Sequence, residues 1–148
     1  MSVIKFMTSL GGELIYQSVE GSPIDTKLSI DLIMMSPDGV LMKIQVKSVG
    51  SIKEVSETPC EKNSDIKFSN KNKSGGYLLY SHMGITLKTD NINYVAYVSG
   101  DNVIICKKYM PVSVVNNKCV DVPIDTFPSN PRGGYFVVDH ESVVYKNV

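Results

Sequence analysis

The chain has 148 residues and a mass of 16.3 kDa, enough for one domain with a buried core. No apolar run approaches the ~18 residues that a membrane-spanning helix requires, and the first residues, Met1-Ser2-Val3-Ile4, lack the charged-then-apolar form of a secretory leader, so a cytoplasmic protein is expected. Lys and Arg balance Asp and Glu at 15 each, so any affinity for a polyanion must come from local clustering of cations. Cys60, Cys106 and Cys119 are unevenly spaced and form no Cys-x-x-Cys pair, so they suggest neither a structural zinc site nor a disulfide framework and read as ordinary thiols.

In chain order, Ile4, Met7, Leu10, Leu14, Ile15 and Val19 recur at a spacing that suits a helix over residues 3–18 with one apolar face. Gly11-Gly12 opposes that reading, because each glycine costs about 1 kcal/mol against alanine within a helix, and a strand over Glu13 to Val19 is the alternative. A loop at Ser22-Pro23 and Asp25-Thr26 leads to an apolar strand from Ser29 to Met35, and a second strand follows from Val40 to Val49.

Between those strands stands Pro37-Asp38-Gly39. Proline presets the first helical-type position of a three-residue hairpin loop and glycine takes the left-handed one. In that loop Ser36 pairs with Val40 and, counting outward, Asp31 lies opposite Gln45. Strand side chains alternate with period two, so Lys47 shares the face of Gln45, while Met42, Ile44 and Val46 point into a core. A two-residue Asp-Gly loop would shift the register by one and turn Asp31 to the other face.

Polar residues dominate from Ser51 to Gly76, which reads as a long connection with at most a short strand around Ile66 to Ser69. Within it Lys62, Lys67, Lys71 and Lys73 make a local cationic excess. Lys67, Asn70, Lys71, Asn72 and Lys73 suit contacts to nucleic-acid phosphates and base edges, in a DNA-contacting loop around 60–90. Tyr77-Leu78-Leu79-Tyr80 is a strand or one helical turn. Asn93 to Val98 and Asn102 to Cys106 flank Ser99-Gly100-Asp101 as a strand-turn-strand unit, and Pro123, Pro128 and Pro131 forbid a long helix near the end. The sum is a single α+β domain over residues 1–148, with one early helix, a mixed central sheet and a strand-rich C-terminal half.

Gly12-Glu13, Asp31-Leu32-Ile33, Ile44-Gln45-Val46-Lys47 and the aromatic segment Asp90 to Val98 occur in an order that resembles the PD-(D/E)XK nuclease superfamily. The pattern is most similar to the small intron-encoded homing endonucleases whose motif reads Gln-x-Lys. The resemblance spans roughly residues 11–110 and implies a restriction-endonuclease-like mixed central sheet with a flanking helix.

It further implies a magnesium- or manganese-dependent DNA endonuclease. Asp31 would be the principal metal ligand, Gln45 would offer its amide oxygen, and Val46 its main-chain carbonyl. Lys47 would orient or deprotonate the attacking water or stabilise charge on the phosphorane, and Glu13 would reach the metal from the first helix. Gln45 is neutral where the family commonly has an acid, and the interval from Glu13 to Asp31 is short, so Glu20 is the fallback to Glu13.

The expected partner is double-stranded DNA, read by a homodimer or homotetramer because symmetric subunits suit a palindromic target. A Holliday-junction resolvase or repair nuclease is the rival within the family. A non-catalytic nucleic-acid-binding protein with a decayed site is the rival outside it.

Overall fold

The computed structural model describes residues 2–23, 28–56, 75–82, 85, 90–107, 112–115, 118–121 and 134–148. Helix α1, Val3–Ser9, begins where the Ser2 side chain accepts a hydrogen bond from the Lys5 N–H at 3.1 Å, satisfying one of the donors that a helix start leaves free. Val3, Phe6 and Met7 are its buried positions, the i, i+3, i+4 stripe of an amphipathic helix. The chain then stops being helical. Gly11 takes φ +98°, and the Gly12 N–H bonds back to the Met7 carbonyl at 2.9 Å. A Cβ at Gly12 would sit 3.0 Å from both the Met7 and Met35 carbonyl oxygens, so the paired glycines permit a close crossing.

The helix expected over residues 3–18 therefore covers only its first part, and the alternative holds for the rest, as strand β1, Glu13–Gln17. It pairs antiparallel with β2, Leu32–Met35, which pairs antiparallel with β3, Leu41–Ser48. The intervening turn is the expected three-residue loop: the Ser36 N–H donates to the Val40 carbonyl at 2.8 Å, and Gly39 has φ +83°. The printed pairs run from Met35 with Leu41 to Leu32 with Ile44, the register that the loop dictates.

Beyond β3 come β4 (Ser51–Val55), β5 (Gly76–Ser81), β6 (Tyr94–Ser99), β7 (Asn102–Lys107), β8 (Val112–Val115), β9 (Lys118–Asp121), β10 (Gly134–Asp139) and β11 (Val143–Asn147). They complete two sheets, ordered β1-β2-β3-β6-β7-β11 and β4-β5-β10-β8-β9. The first is mixed, because β3 and β6 run parallel while its other neighbours are antiparallel. Tyr77 to Tyr80 lie within β5, a strand rather than a helical turn.

The first sheet is covered on both faces. On one, α1 packs Val3, Phe6 and Met7 over Leu32, Met34, Met42, Ile44, Val103 and Ile105. On the other, Val95, Tyr97, Ile104 and Cys106 meet Ile52, Tyr77, Leu79, Phe136 and Val138 from the second sheet. Double-sided burial explains the unbroken apolar run Val103-Ile104-Ile105-Cys106, whose members alternate between the two clusters. Each large apolar side chain so buried stabilises the fold by about 1.5–3 kcal/mol. The short strand expected around Ile66 to Ser69 and the prolines at 123, 128 and 131 lie outside the described residues.

Candidate functional site

Asp31 stands just before β2, where the ladder with β3 becomes irregular. Its N–H donates to the Ile44 carbonyl at 2.9 Å, although Ile44 is the partner of Leu32. Asp31 and Leu32 therefore both oppose Ile44, which is a β-bulge. Ile30 packs into the cluster between the sheets, whereas Leu32 packs under α1. The Asp31 carbonyl accepts from the Ser18 N–H at 2.9 Å, and the Ser18 hydroxyl donates to the Ile30 carbonyl. Both neighbours thus fix the main chain around Asp31.

The bulge leaves the Val46 N–H without its ordinary ladder partner, and Asp31 supplies one: Oδ2 accepts from Val46 N at 2.7 Å. In an extended strand the N–H and C=O of one residue point toward the same neighbour. The Val46 carbonyl consequently faces the Asp31 side of β3. Here the structure joins the acid to the Gln-x-Lys strand. Asp31 is half-buried and lines a cleft of about 510 Å³ with Gln17, Ser18, Glu20, Val46 and Ser48, bounded by the start of α1.

Gln45 and Lys47 lie elsewhere. In the parallel register Gln45 pairs with Val95 and Lys47 with Tyr97, two residues of the cluster between the sheets. Gln45 and Lys47 accordingly share the inner face, as period two requires, while the bulged Asp31 opens onto the cleft on the helix side. Gln45 is only 7% exposed, and its Oε1 has no hydrogen-bond partner. Lys47 is half-buried. The sequence register brings Asp31 level with Gln45 along the hairpin, but one extra residue in the bulge turns it off the Gln45–Lys47 face.

Glu13 is exposed and paired with Met35 at the opposite end of β2, whereas Gln17 pairs with Leu32. The four residues from Asp31 to Met35 span roughly 13 Å of extended chain. The expectation of a helical Glu13 beside the metal is corrected by the early end of α1, and Glu20 is the glutamate that shares the Asp31 cleft. Lys67, Asn70, Lys71, Asn72 and Lys73 lie outside the described residues.

Asp31, Glu20, the Gln17 amide and the Val46 carbonyl are hard oxygen donors of the kind that Mg²⁺ prefers. Among the described residues no group of three or more His, Cys, Asp or Glu is arranged to hold a metal.

Sequence reasoning did not find the roles of Ser18, Tyr97 and Asp139. Tyr97 is fully buried, and its hydroxyl has no hydrogen-bond partner. Burial, followed by the neighbouring Cys106, holds that phenol well above its ordinary range. Burial, followed by Asp139, pushes the Cys106 thiol up as well. Asp139, itself buried, accepts from the Ser142 N–H at 2.9 Å and caps the short 3-10 turn His140–Ser142. His140 lies within 3.8 Å of Glu54 and edge-on to the Tyr77 ring.

No family model matches the chain, and neither a curated protein nor a solved structure shows significant similarity to it.

Proposed function

We propose that the protein is a magnesium-dependent DNA endonuclease of the PD-(D/E)XK kind, with its cation held at the Asp31–Val46 edge of the hairpin. The observation that carries this reading is the 2.7 Å contact between Asp31 Oδ2 and the Val46 N–H, which ties the acid to the strand bearing Gln45 and Lys47. The mixed sheet, with β3 parallel to β6 and α1 against one face, supports the finer restriction-endonuclease-like description. Bound there, Mg²⁺ would supply Lewis acidity and activate a water.

The chain's own groups then have distinct tasks. Asp31 holds its position through the Oδ2 contact to Val46 and would supply the carboxylate charge that attracts the cation. Glu20 and the Val46 carbonyl would be the further protein donors, with substrate phosphate oxygens adding to them. Lys47 is one residue along β3 from Val46 but on the inner face of the sheet, so the cleft chemistry rests on Asp31 and Glu20 and Lys47 takes no direct part in it. The substrate is double-stranded DNA, cut at a specific site by symmetric subunits. Among the described residues no helix is long and apolar enough to cross a membrane.

A second reading is a nucleic-acid-binding protein whose catalytic site has decayed. It is favoured by Gln45, whose amide faces the interior instead of the cleft. Cleavage of supercoiled plasmid with and without Mg²⁺ separates the readings. The nuclease reading expects Mg²⁺-dependent nicking that Asp31→Ala abolishes. DNA binding without cleavage of plasmid or branched DNA supports the second reading. Clustered cuts in linear duplex distinguish the homing-type enzyme from a junction resolvase.

A further inference from the structure

Among the described residues, two buried polar atoms in the core between the two sheets have no hydrogen-bond partner. Gln45 Oε1 and Tyr97 Oη are both buried and both lack a hydrogen-bond partner, so they do not bond to each other. They lie on the same face of adjacent parallel strands, since Gln45 pairs with Val95 and Tyr97 with Lys47. Tyr97 is thus the diagonal neighbour of Gln45, a separation that an aromatic side chain spans.

Left dry, each group would bear the cost of an unmade hydrogen bond in an apolar surrounding. We infer that one internal water bridges Gln45 Oε1 and Tyr97 Oη. Gln45 Oε1 only accepts and the phenol donates. A water donating to the first and accepting from the second satisfies both with ordinary geometry. A cation does not suit the place, because a neutral amide and a protonated phenol offer no charge to offset burial of a dication.

Cys106, paired with Val95 and close enough to act on Tyr97, can add its S–H as a weak third donor. The inference is independent of the nuclease reading. It does give Gln45 a task in this fold: an amide there can hold water inside the core, where a carboxylate would be a buried charge.

The test combines a crystal structure of the whole chain, at a resolution that places waters, with unfolding of Tyr97→Phe, Gln45→Leu and the double variant. One ordered water within hydrogen-bond distance of both atoms is expected. Each single substitution should remove it and lower the folding constant roughly tenfold, the worth of about one buried hydrogen bond. The double variant should fall no further than the weaker single one. A dry gap, a direct Tyr97–Gln45 bond, two separate waters, strictly additive losses or an unchanged Tyr97→Phe protein would each overturn the inference.

Discussion

Asp31 Oδ2 accepts a 2.7 Å hydrogen bond from the Val46 N–H, across the gap that a bulge opens between β2 and β3. A side-chain oxygen here replaces a main-chain acceptor, so Asp31 carries a structural duty alongside the catalytic one proposed for it. The two duties separate by substitution. Asp31→Asn keeps an oxygen that can accept from Val46 and should unfold within about 0.5 kcal/mol of the parent, whereas Asp31→Ala orphans the amide and should cost about 1–3 kcal/mol. Urea titration of both variants measures the difference.

Gln45→Glu places a carboxyl at a position only 7% exposed. Desolvation raises the folded-state pKa of that acid above its unfolded value of about 4.3. The folded state then binds more protons than the unfolded one between the two values. Stability should be near the parent's below about pH 4 and fall by about 1.4 kcal/mol per pH unit above it, until the folded pKa is reached. Thermal melts of parent and variant between pH 4 and 8 would show the curves diverging as pH rises.

Gly39 holds φ +83° in the hairpin loop, with open space where a Cβ would stand. Gly39→Ala therefore meets backbone strain without a clash, and should cost about 1–2 kcal/mol while leaving the Ser36–Val40 pairing intact. Chemical denaturation gives the loss, and amide exchange at Val40 reports whether the register survives.

Burial, then Asp139, raises the Cys106 thiol above its ordinary value. In a Cys60→Ala, Cys119→Ala background, Cys106 should resist a thiol-specific reagent in the native state and react on unfolding. Its folded pKa lies above the unfolded one, so its contribution is complete below about pH 8.5 and declines as pH rises beyond it. Replacing Cys106 with Ala should flatten that alkaline decline in a melt series.

The hairpin was legible because Pro37-Asp38-Gly39 has its own turn chemistry, and the residues from Ser36 to Leu32 then follow by counting. The bulge was not: it depends on Ser18 and Ile30 fixing the chain from outside the hairpin, contacts that no local pattern announces. Helix α1 was overextended because Leu14 and Ile15 continue an apolar spacing, yet they stand 40% and 53% exposed on β1. Gly12 supplied the decisive signal, since only a residue without a side chain admits the Met7 and Met35 carbonyls so closely. The second sheet stayed hidden because β4, β5 and β10 meet only through tertiary pairing, with 20 residues between β4 and β5. Gln45 and Glu20 exchanged prominence for a related reason: motif position marks Gln45, but cleft geometry marks Glu20.

The most direct test of the central claim is cleavage of supercoiled plasmid in Mg²⁺ by the parent and by Asp31→Asn, each confirmed folded by its urea transition. The account predicts Mg²⁺-dependent cleavage by the parent and a loss of at least about a hundredfold in the variant, since the neutral amide preserves the Val46 contact but not the charge that holds the cation. Equal cleavage by the two proteins, or none by a folded parent on any DNA form, would contradict it.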